Sequence, residues 1–296
     1  MTILPPTAPL TRLYTLHALT PLHAGTGQGV GDIDLPVTRE RATGLPFVPG
    51  SSVRGVLRDA LGGREDQAAV FGPDPRHASE FAGALSVTDA RLLLFPVRSV
   101  AGTWAWATSP ALLARLRRDA AVSGTAPLPA VPTVTSGQAL LTGDSVLKLP
   151  KTAAVLLDDW QLTAADDVRA ADAWAAALGT LLGDEDAATS LRQRLCVLDD
   201  TQLSLAAELA TEVNARIRLN EQTKTVDRGA LWYEESLPAE TVLFGLMRAE
   251  TSRDGRALPP AEVLGRIGTH RYAQFGGKAG TGRGLCSLRL DLDGAR

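Results

Sequence analysis

Two aspartates one residue apart, Asp32 and Asp34, stand in the stretch Gly31-Asp-Ile-Asp-Leu-Pro-Val-Thr-Arg-Glu40. A glycine-rich run, His23-Ala-Gly-Thr-Gly-Gln-Gly-Val-Gly31, precedes them, and the basic stretch Pro49-Gly-Ser-Ser-Val-Arg-Gly-Val-Leu-Arg58 follows. Alternation along an extended segment puts both acids on one side and Ile33 and Leu35 on the other. A carboxylate held among cations can coordinate a divalent metal or accept a proton from a ribose 2′-hydroxyl. The same pair can also serve a plain turn, in which Asp side chains bond their own backbone after glycine. His23 lies eleven residues before Asp34 and is a candidate to share the site; a lone histidine is more often a hydrogen-bonding loop or core residue. HxH and HExxH are absent and no cysteines cluster, so a structural zinc site has no support.

Around these acids lie groups suited to anions. The stretch Pro49–Arg58 reads as a helix start with Ser51 or Ser52 as N-cap. Its exposed N–H groups, the two hydroxyls and Arg54 form a phosphate cradle, and Arg58 extends the basic stripe. The alternative is an ordinary capped helix. Arg39 lies in the same basic stretch. Near the end of the chain, Phe275-Gly-Gly-Lys-Ala-Gly-Thr-Gly-Arg-Gly284 embeds Lys278 and Arg283 among glycines, and its Gly276, Gly277 and Gly280 amides can approach a phosphate closely. It lacks the Gly-Lys-Ser/Thr of a P-loop, and the early glycine run does not give GxGxxG. In Gly229-Ala-Leu-Trp-Tyr-Glu-Glu-Ser236, Trp232 and Tyr233 sit beside Glu234 and Glu235. Aromatics there can stack on unpaired bases or pack a hairpin onto the body.

The 296-residue chain is 45% hydrophobic with 21% charged residues, enough for a folded domain and unlike a disordered chain. A net charge of −3 argues mildly against nucleic-acid binding, but the distribution argues for it. Residues 39 to 58 hold four arginines and one acid, and residues 266 to 283 hold four cations and no acid. Residues 152 to 200 hold ten acids and three arginines, so the acid excess is local. No apolar run is long enough for a membrane helix, and the N-terminus has no signal-like pattern, so a cytoplasmic protein with no membrane partner is expected. Cys196 and Cys286 match no metal spacing and read as buried thiols.

The elements that must position these residues follow from pattern. Residues 11 to 20 read as a strand, 21 to 50 as a long loop rich in glycine and proline, and 50 to 61 as a helix stopped by Gly62-Gly63. A strand over 83 to 97 is expected to bend or end at Pro96, and a serine-capped helix to start at Ser109. Residues 160 to 212 read as mostly helical. Two extended arms around Asn220–Gly229 predict a projecting hairpin, and strand, helix and strand close the chain. Without its insertions this order approaches the ferredoxin-like βαββαβ plan.

The quoted stretches, together with Phe81–Pro110, resemble the repeated backbone subunit of the type III-B CRISPR effector, the Cmr complex, within the RAMP superfamily. The likeness is strong over 1–110 and 215–290 and weak over 120–210. It implies one α+β domain over 1–296: a modified ferredoxin-like, RRM-like palm with a helical lid insertion (about 119–212) and a β-hairpin thumb (about 213–236). It further implies copies stacked on a CRISPR RNA with other Cmr subunits, and endonucleolytic cleavage of the paired target RNA at regular intervals. By resemblance the catalytic aspartate is Asp34, the loop histidine is His23, and the acidic and aromatic group falls on Tyr233, Glu234 and Glu235. Asp32 has no counterpart. Asp34 would act through Mg²⁺ or another divalent metal, or as a general base. The alternatives are a guide-binding scaffold without cutting activity and a stand-alone metal-dependent endoribonuclease.

Overall fold

A computed structural model describes residues 8–27, 33–63, 66–77 and 79–291. In chain order the strands and helices are β1 (Leu10–Ala18), β2 (Phe47–Val48), α1 (Gly50–Ala60), α2 (Gln67–Phe71), β3 (Leu85–Val87), β4 (Ala90–Arg98), β5 (Trp104–Thr108) and α3 (Pro110–Ser123). Then come β6 (Gln138–Leu141), β7 (Ala154–Leu157), β8 (Trp160–Ala164), α4 (Arg169–Leu182), α5 (Glu185–Arg194), β9 (Leu195–Val197) and α6 (Asp200–Leu209). The chain continues with β10 (Glu212–Leu219), β11 (Val226–Ser236), β12 (Val242–Ala249), α7 (Pro260–Ile267), β13 (His270–Gln274) and β14 (Leu285–Leu290).

Strand β1 is central, pairing antiparallel with β12 on one side and β14 on the other, while β12 pairs antiparallel with β4. The order β14-β1-β12-β4, with α1 between β1 and β4 in the chain and α7 between β12 and β14, is the expected ferredoxin-like arrangement. Alternate strand residues serve opposite faces. Tyr14, Leu16, Leu92 and Leu243 join one buried cluster with Val53 and Leu57 of α1 and Val263 and Leu264 of α7. Leu13, Leu93, Trp106 and Phe244 join a second cluster with Leu116 of α3, Trp174 and Leu178 of α4, and Leu191 of α5.

Three expectations change. Helix α1 is not capped by Ser51 or Ser52: the N-cap is Pro49, and both serines lie exposed in the first turn. The Gly50 N–H instead donates to Asp89 Oδ1 at 2.8 Å. Asp89→Ala is therefore expected to cost about 1 kcal/mol in urea unfolding, and Ser51→Ala or Ser52→Ala less than about 0.5 kcal/mol. Pro96 does not break its strand, because β4 leaves β12 after Leu94 and pairs with β5 from Phe95 on. The proline thus lies past the β12 ladder that it would have interrupted.

The region 119–212 is also less purely helical than expected. Its β6 to β9 extend the main sheet in the order β5-β9-β6-β8-β7, and α4, α5 and α6 accompany them. Short apolar runs such as Ala-Leu-Leu and Leu-Cys-Val have no period that separates strand from buried helix. β10 and β11 form a separate two-stranded sheet, the expected hairpin. Both cysteines are free and buried, and burial pushes each thiol up to about 12. No helix among the described residues is long and apolar enough to cross a membrane.

Candidate active site and nucleic-acid interface

The base of the hairpin gathers four short segments. Isolated bridges join Leu22 to Leu237, His23 to Gly277, Gly25 to Val37 and Leu35 to Glu234. The loop after β1, the loop that carries Asp34, the end of β11 and the glycine-rich loop after β13 therefore meet in one place. Irregular bridges suit this job, since each fixes a loop without forcing it into a full ladder.

Asp34 is exposed, and its Oδ2 accepts the Tyr233 N–H at 2.8 Å. The next residue locks the register: Leu35 N–H donates to Tyr233 O at 3.1 Å, and Glu235 N–H donates to Leu35 O at 3.0 Å. Asp32 lies outside the described residues, as do Gln28 to Gly31. His23 is 6% exposed, and its Nδ1 lies 2.6 Å from the Glu235 carbonyl oxygen. A carbonyl only accepts, so Nδ1 carries a proton and Nε2 is the acceptor of the neutral ring. Nε2 lies against Gly25, where a Cβ would come within 2.6 Å of it.

Glu234 and Glu235 are neighbours on a strand and so face opposite ways. Both are buried, at 3% exposure. Glu234 Oε1 accepts from Lys278 Nζ and from the Trp232 indole, each at 2.8 Å, and its Oε2 lies 3.3 Å from Arg216 Nε. Burial alone would push this carboxyl up. The bonds from Lys278 and Trp232 and the charges of Lys278 and Arg216 outweigh it, and hold Glu234 at about 2 instead of the ordinary 4.5. A carboxylate so occupied is a poor proton acceptor, so its place in the site is to hold Lys278 and Arg216. Tyr233 is 42% exposed and open to a stacking partner.

The glycine-rich loop is exposed at Gly276, Gly277 and Gly280. Gly276 has φ of 71°, and a Cβ there would meet the His23 carbonyl oxygen at 2.3 Å, so no side chain fits where this loop crosses the histidine. Lys278 adopts the left-handed conformation at φ 68°, which turns the chain so that Nζ reaches Glu234.

The structure gives several expected phosphate ligands internal partners. Arg39 donates to Glu235 Oε1 at 2.6 Å and to the carbonyls of Gly44 and Ala207 at 3.0 Å. Arg283 is 6% exposed and bonds the Ser236 hydroxyl. Arg54 donates to the carbonyls of Phe71 and Leu85 and lies 5.5 Å from the Phe71 ring centre, while Arg58 donates to Pro73 O. Ser51, Ser52, Arg54 and Arg58 belong to α1, and the two arginines bond Leu85, Phe71 and Pro73, away from the hairpin base. Arg216 was not singled out from sequence. Its signal was the hairpin register, which pairs Asn214 with Glu234 and Arg216 with Trp232 on one face.

A chain with this sheet order, this hairpin and this glycine-rich loop closing on its base matches the family model described as the RAMP superfamily over residues 15–287. The chain belongs to the RAMP superfamily. It is 34% identical over 288 residues to the CRISPR system Cmr endoribonuclease Cmr4 of Pyrococcus furiosus, covering 94% of this chain and 95% of that protein. It is 25% identical over 312 residues to the CRISPR system CMR subunit Cmr4 of Saccharolobus solfataricus, covering 93% and 95%. The crystal structure of oligomeric Cmr4 from Pyrococcus furiosus superposes with a TM-score of 0.74 at 28% identity, over 95% of this chain and 97% of that one. A chain of the type III-B Cmr-beta complex bound to cognate target RNA shares the fold at a TM-score of 0.72 and 21% identity, over 97% and 98% of the two chains.

Proposed function

We infer that this chain is the guide-binding backbone subunit of a type III-B CRISPR effector and an endoribonuclease that cuts the target RNA paired to the guide. The observation that carries this reading is the match, over nearly the whole of both chains, to a relative named as the Cmr endoribonuclease. Its partners on this reading are a CRISPR RNA, the complementary target RNA, further copies of itself and other Cmr subunits, in the cytoplasm. Regularly stacked copies would give regularly spaced cuts.

Base pairing supplies the sequence recognition, so the protein needs only to read the backbone and shape of the duplex. The hairpin projects from the body and supplies a wedge that displaces a nucleotide. Displacement can bring a ribose 2′-hydroxyl into line with the adjacent phosphorus, and positioning of that kind supplies much of the rate. Asp34 takes the 2′-hydroxyl proton, the 2′-oxygen bonds to phosphorus, and the 5′-oxygen leaves and takes a proton from water. The products are a 2′,3′-cyclic phosphate and a 5′-hydroxyl. Tyr233 offers a ring to a displaced base. Lys278 and Arg216, fixed by Glu234, place positive charge at the hairpin base where the phosphate charge develops. The exposed Gly276 and Gly280 offer main-chain phosphate contacts, whereas the Gly277 N–H, also expected to do so, is already donated to His23 O at 2.9 Å.

A divalent cation fits this site in one mode. Among the described residues no group of three or more His, Cys, Asp or Glu could hold one, so Asp34 would share it with RNA phosphate oxygens and water, as Mg²⁺ commonly is held. Bound there, Mg²⁺ would stabilise charge on the phosphate under attack.

The test is reconstitution of the effector on a guide RNA with an end-labelled complementary RNA. Cuts at a fixed interval within the paired region, and none in a non-complementary RNA, are expected. Tight binding of the complementary strand without any cut would reduce the chain to a scaffold. Cutting by the chain alone, without guide or partners, would make it a stand-alone nuclease.

A further inference from the structure

Glu235 bonds the segment after Asp34 with both its carboxylate and its main chain. Its Oε2 accepts the Val37 N–H at 2.8 Å and its Oε1 accepts from Arg39 Nη2 at 2.6 Å. Its own N–H donates to Leu35 O at 3.0 Å, and its carbonyl accepts the His23 Nδ1–H at 2.6 Å. Leu35, Val37 and Arg39 are alternate residues of the extended segment that starts at Asp34, so one residue grips that segment at three successive positions. Arg39 then ties the same point to α6 through the Ala207 carbonyl.

We propose that Glu235 is a positioning residue for the cleavage reaction, which sets the place of Asp34 and the tautomer of His23. The inference rests on the reading of Asp34 given above. The Leu35 N–H bond to Tyr233 O and the Glu235 N–H bond to Leu35 O survive any side-chain change, because main-chain atoms make both. Among the described residues, the Glu235 carboxylate is therefore the β11 side chain that restrains residues 37 to 39 and that mutation can remove. Its burial makes it demanding: with the carboxylate gone, the Val37 N–H and the Arg39 guanidinium both lose an acceptor in a site closed to water. Glutamine keeps the size but offers one oxygen, and its amide nitrogen then faces a donor. Relief of that clash moves the segment that carries Asp34. A shift of about 1 Å in a catalytic group can cost about 100-fold in rate.

The test uses the reconstituted effector with Glu235→Gln. Three quantities are measured: the single-turnover cleavage rate at saturating complex, the Kd for target RNA, and hydrogen exchange of the purified chain. The rate is expected to fall about 10- to 100-fold. Target Kd should stay within about twofold, since the displaced segment is not the source of duplex affinity. Exchange should quicken over 33–39 and stay unchanged in β1 and β12. An unchanged rate would overturn the proposal. So would a rate loss matched by an equal loss of target binding, which is what general damage to the fold produces. Where Glu235→Gln does not assemble, Glu235→Asp keeps the charge but withdraws it by one methylene, and is expected to slow cleavage about three- to tenfold; a wild-type rate would overturn the proposal equally. Asp34→Ala run in parallel separates the two readings. If that variant cuts normally, the Asp34 assignment has failed; if it is inactive while Glu235→Gln cuts normally, only the positioning role has failed.

Discussion

Asp34→Ala is expected to stop target cleavage while leaving guide and target binding intact. The carboxylate is exposed, and among the described residues its one side-chain bond is from the Tyr233 N–H. Losing that acceptor leaves an exposed amide to water, so stability should change by less than about 1 kcal/mol. The Leu35 bonds to Tyr233 and Glu235 hold the segment in register without it. Catalytically the loss is larger, because a positioned proton acceptor contributes about 10²- to 10⁴-fold to a rate. Asp34→Asn sharpens the test. The asparagine oxygen can still accept from Tyr233, so geometry is kept while charge and basicity are removed. Single-turnover cleavage of labelled RNA should fall about as far with Asn as with Ala. A titration with Mg²⁺ should move the residual rate of neither variant if the ion acts through Asp34. A wild-type rate from Asp34→Asn would leave this carboxylate as a turn former and nothing more.

The central sheet was legible because its elements are long and strongly patterned. β1, α1, β12 and α7 each carry an alternating or helical apolar stripe, and their order alone suggests the ferredoxin-like plan. The projecting hairpin was legible for a related reason, since two extended runs flank a polar turn with no helical period. The strands inside 119–212 were not. β6, β7 and β9 are three or four residues long and become strands through pairing with residues far away in the chain or with one another, β9 on the edge of β5, β6 on β9 and β7 on β8. Capping misled in the same way: a serine at the start of a helix is a local signal, and the carboxylate that bonds Gly50 comes from Asp89, thirty-nine residues away.

The site was half legible. Asp34, His23, Glu234 and Lys278 do converge, each drawn from a short motif of its own. What sequence could not supply is which cation meets which acid. Arg39, Arg54, Arg58 and Arg283 read as a basic field, yet each spends its guanidinium on a carboxylate, hydroxyl or carbonyl of the fold. Linear charge counting treats a paired arginine and an open one alike, so it overstates how much positive surface remains for RNA. The adjacent acids Glu234 and Glu235 show the converse. Strand alternation sends them to opposite faces, one to Lys278 and Arg216, the other to Val37 and Arg39, and only the folded register reveals that they do different work.

The Glu234 cluster carries the second large expectation. Removing one member of a buried ion cluster typically costs about 3–5 kcal/mol, because the remaining charges stay desolvated. Glu234→Gln strands Lys278 and Arg216, both of them partly open to solvent, so the low end of about 3 kcal/mol is expected in urea unfolding at neutral pH. The pH dependence gives the sign. The folded carboxyl sits at about 2 against an ordinary 4.5, so the unfolded chain binds its proton first as pH falls. The stabilisation is then complete above about pH 5 and is lost as pH falls through 4.5 towards 2. Its upper limit is ~3 kcal/mol, reduced by whatever screening reaches the cluster. Wild type and Glu234→Gln should therefore differ most at pH 7 and converge as pH approaches 2, with urea midpoints measured at steps between. Equal midpoints at neutral pH would mean that Lys278 and Arg216 find other partners and that the cluster does not lock the hairpin. Because Arg216 is on β10, Glu234 on β11 and Lys278 on the glycine-rich loop, the same variant should loosen the hairpin against the body. On the proposed function, that loosening blurs the interval between cuts before it weakens the binding of guide RNA.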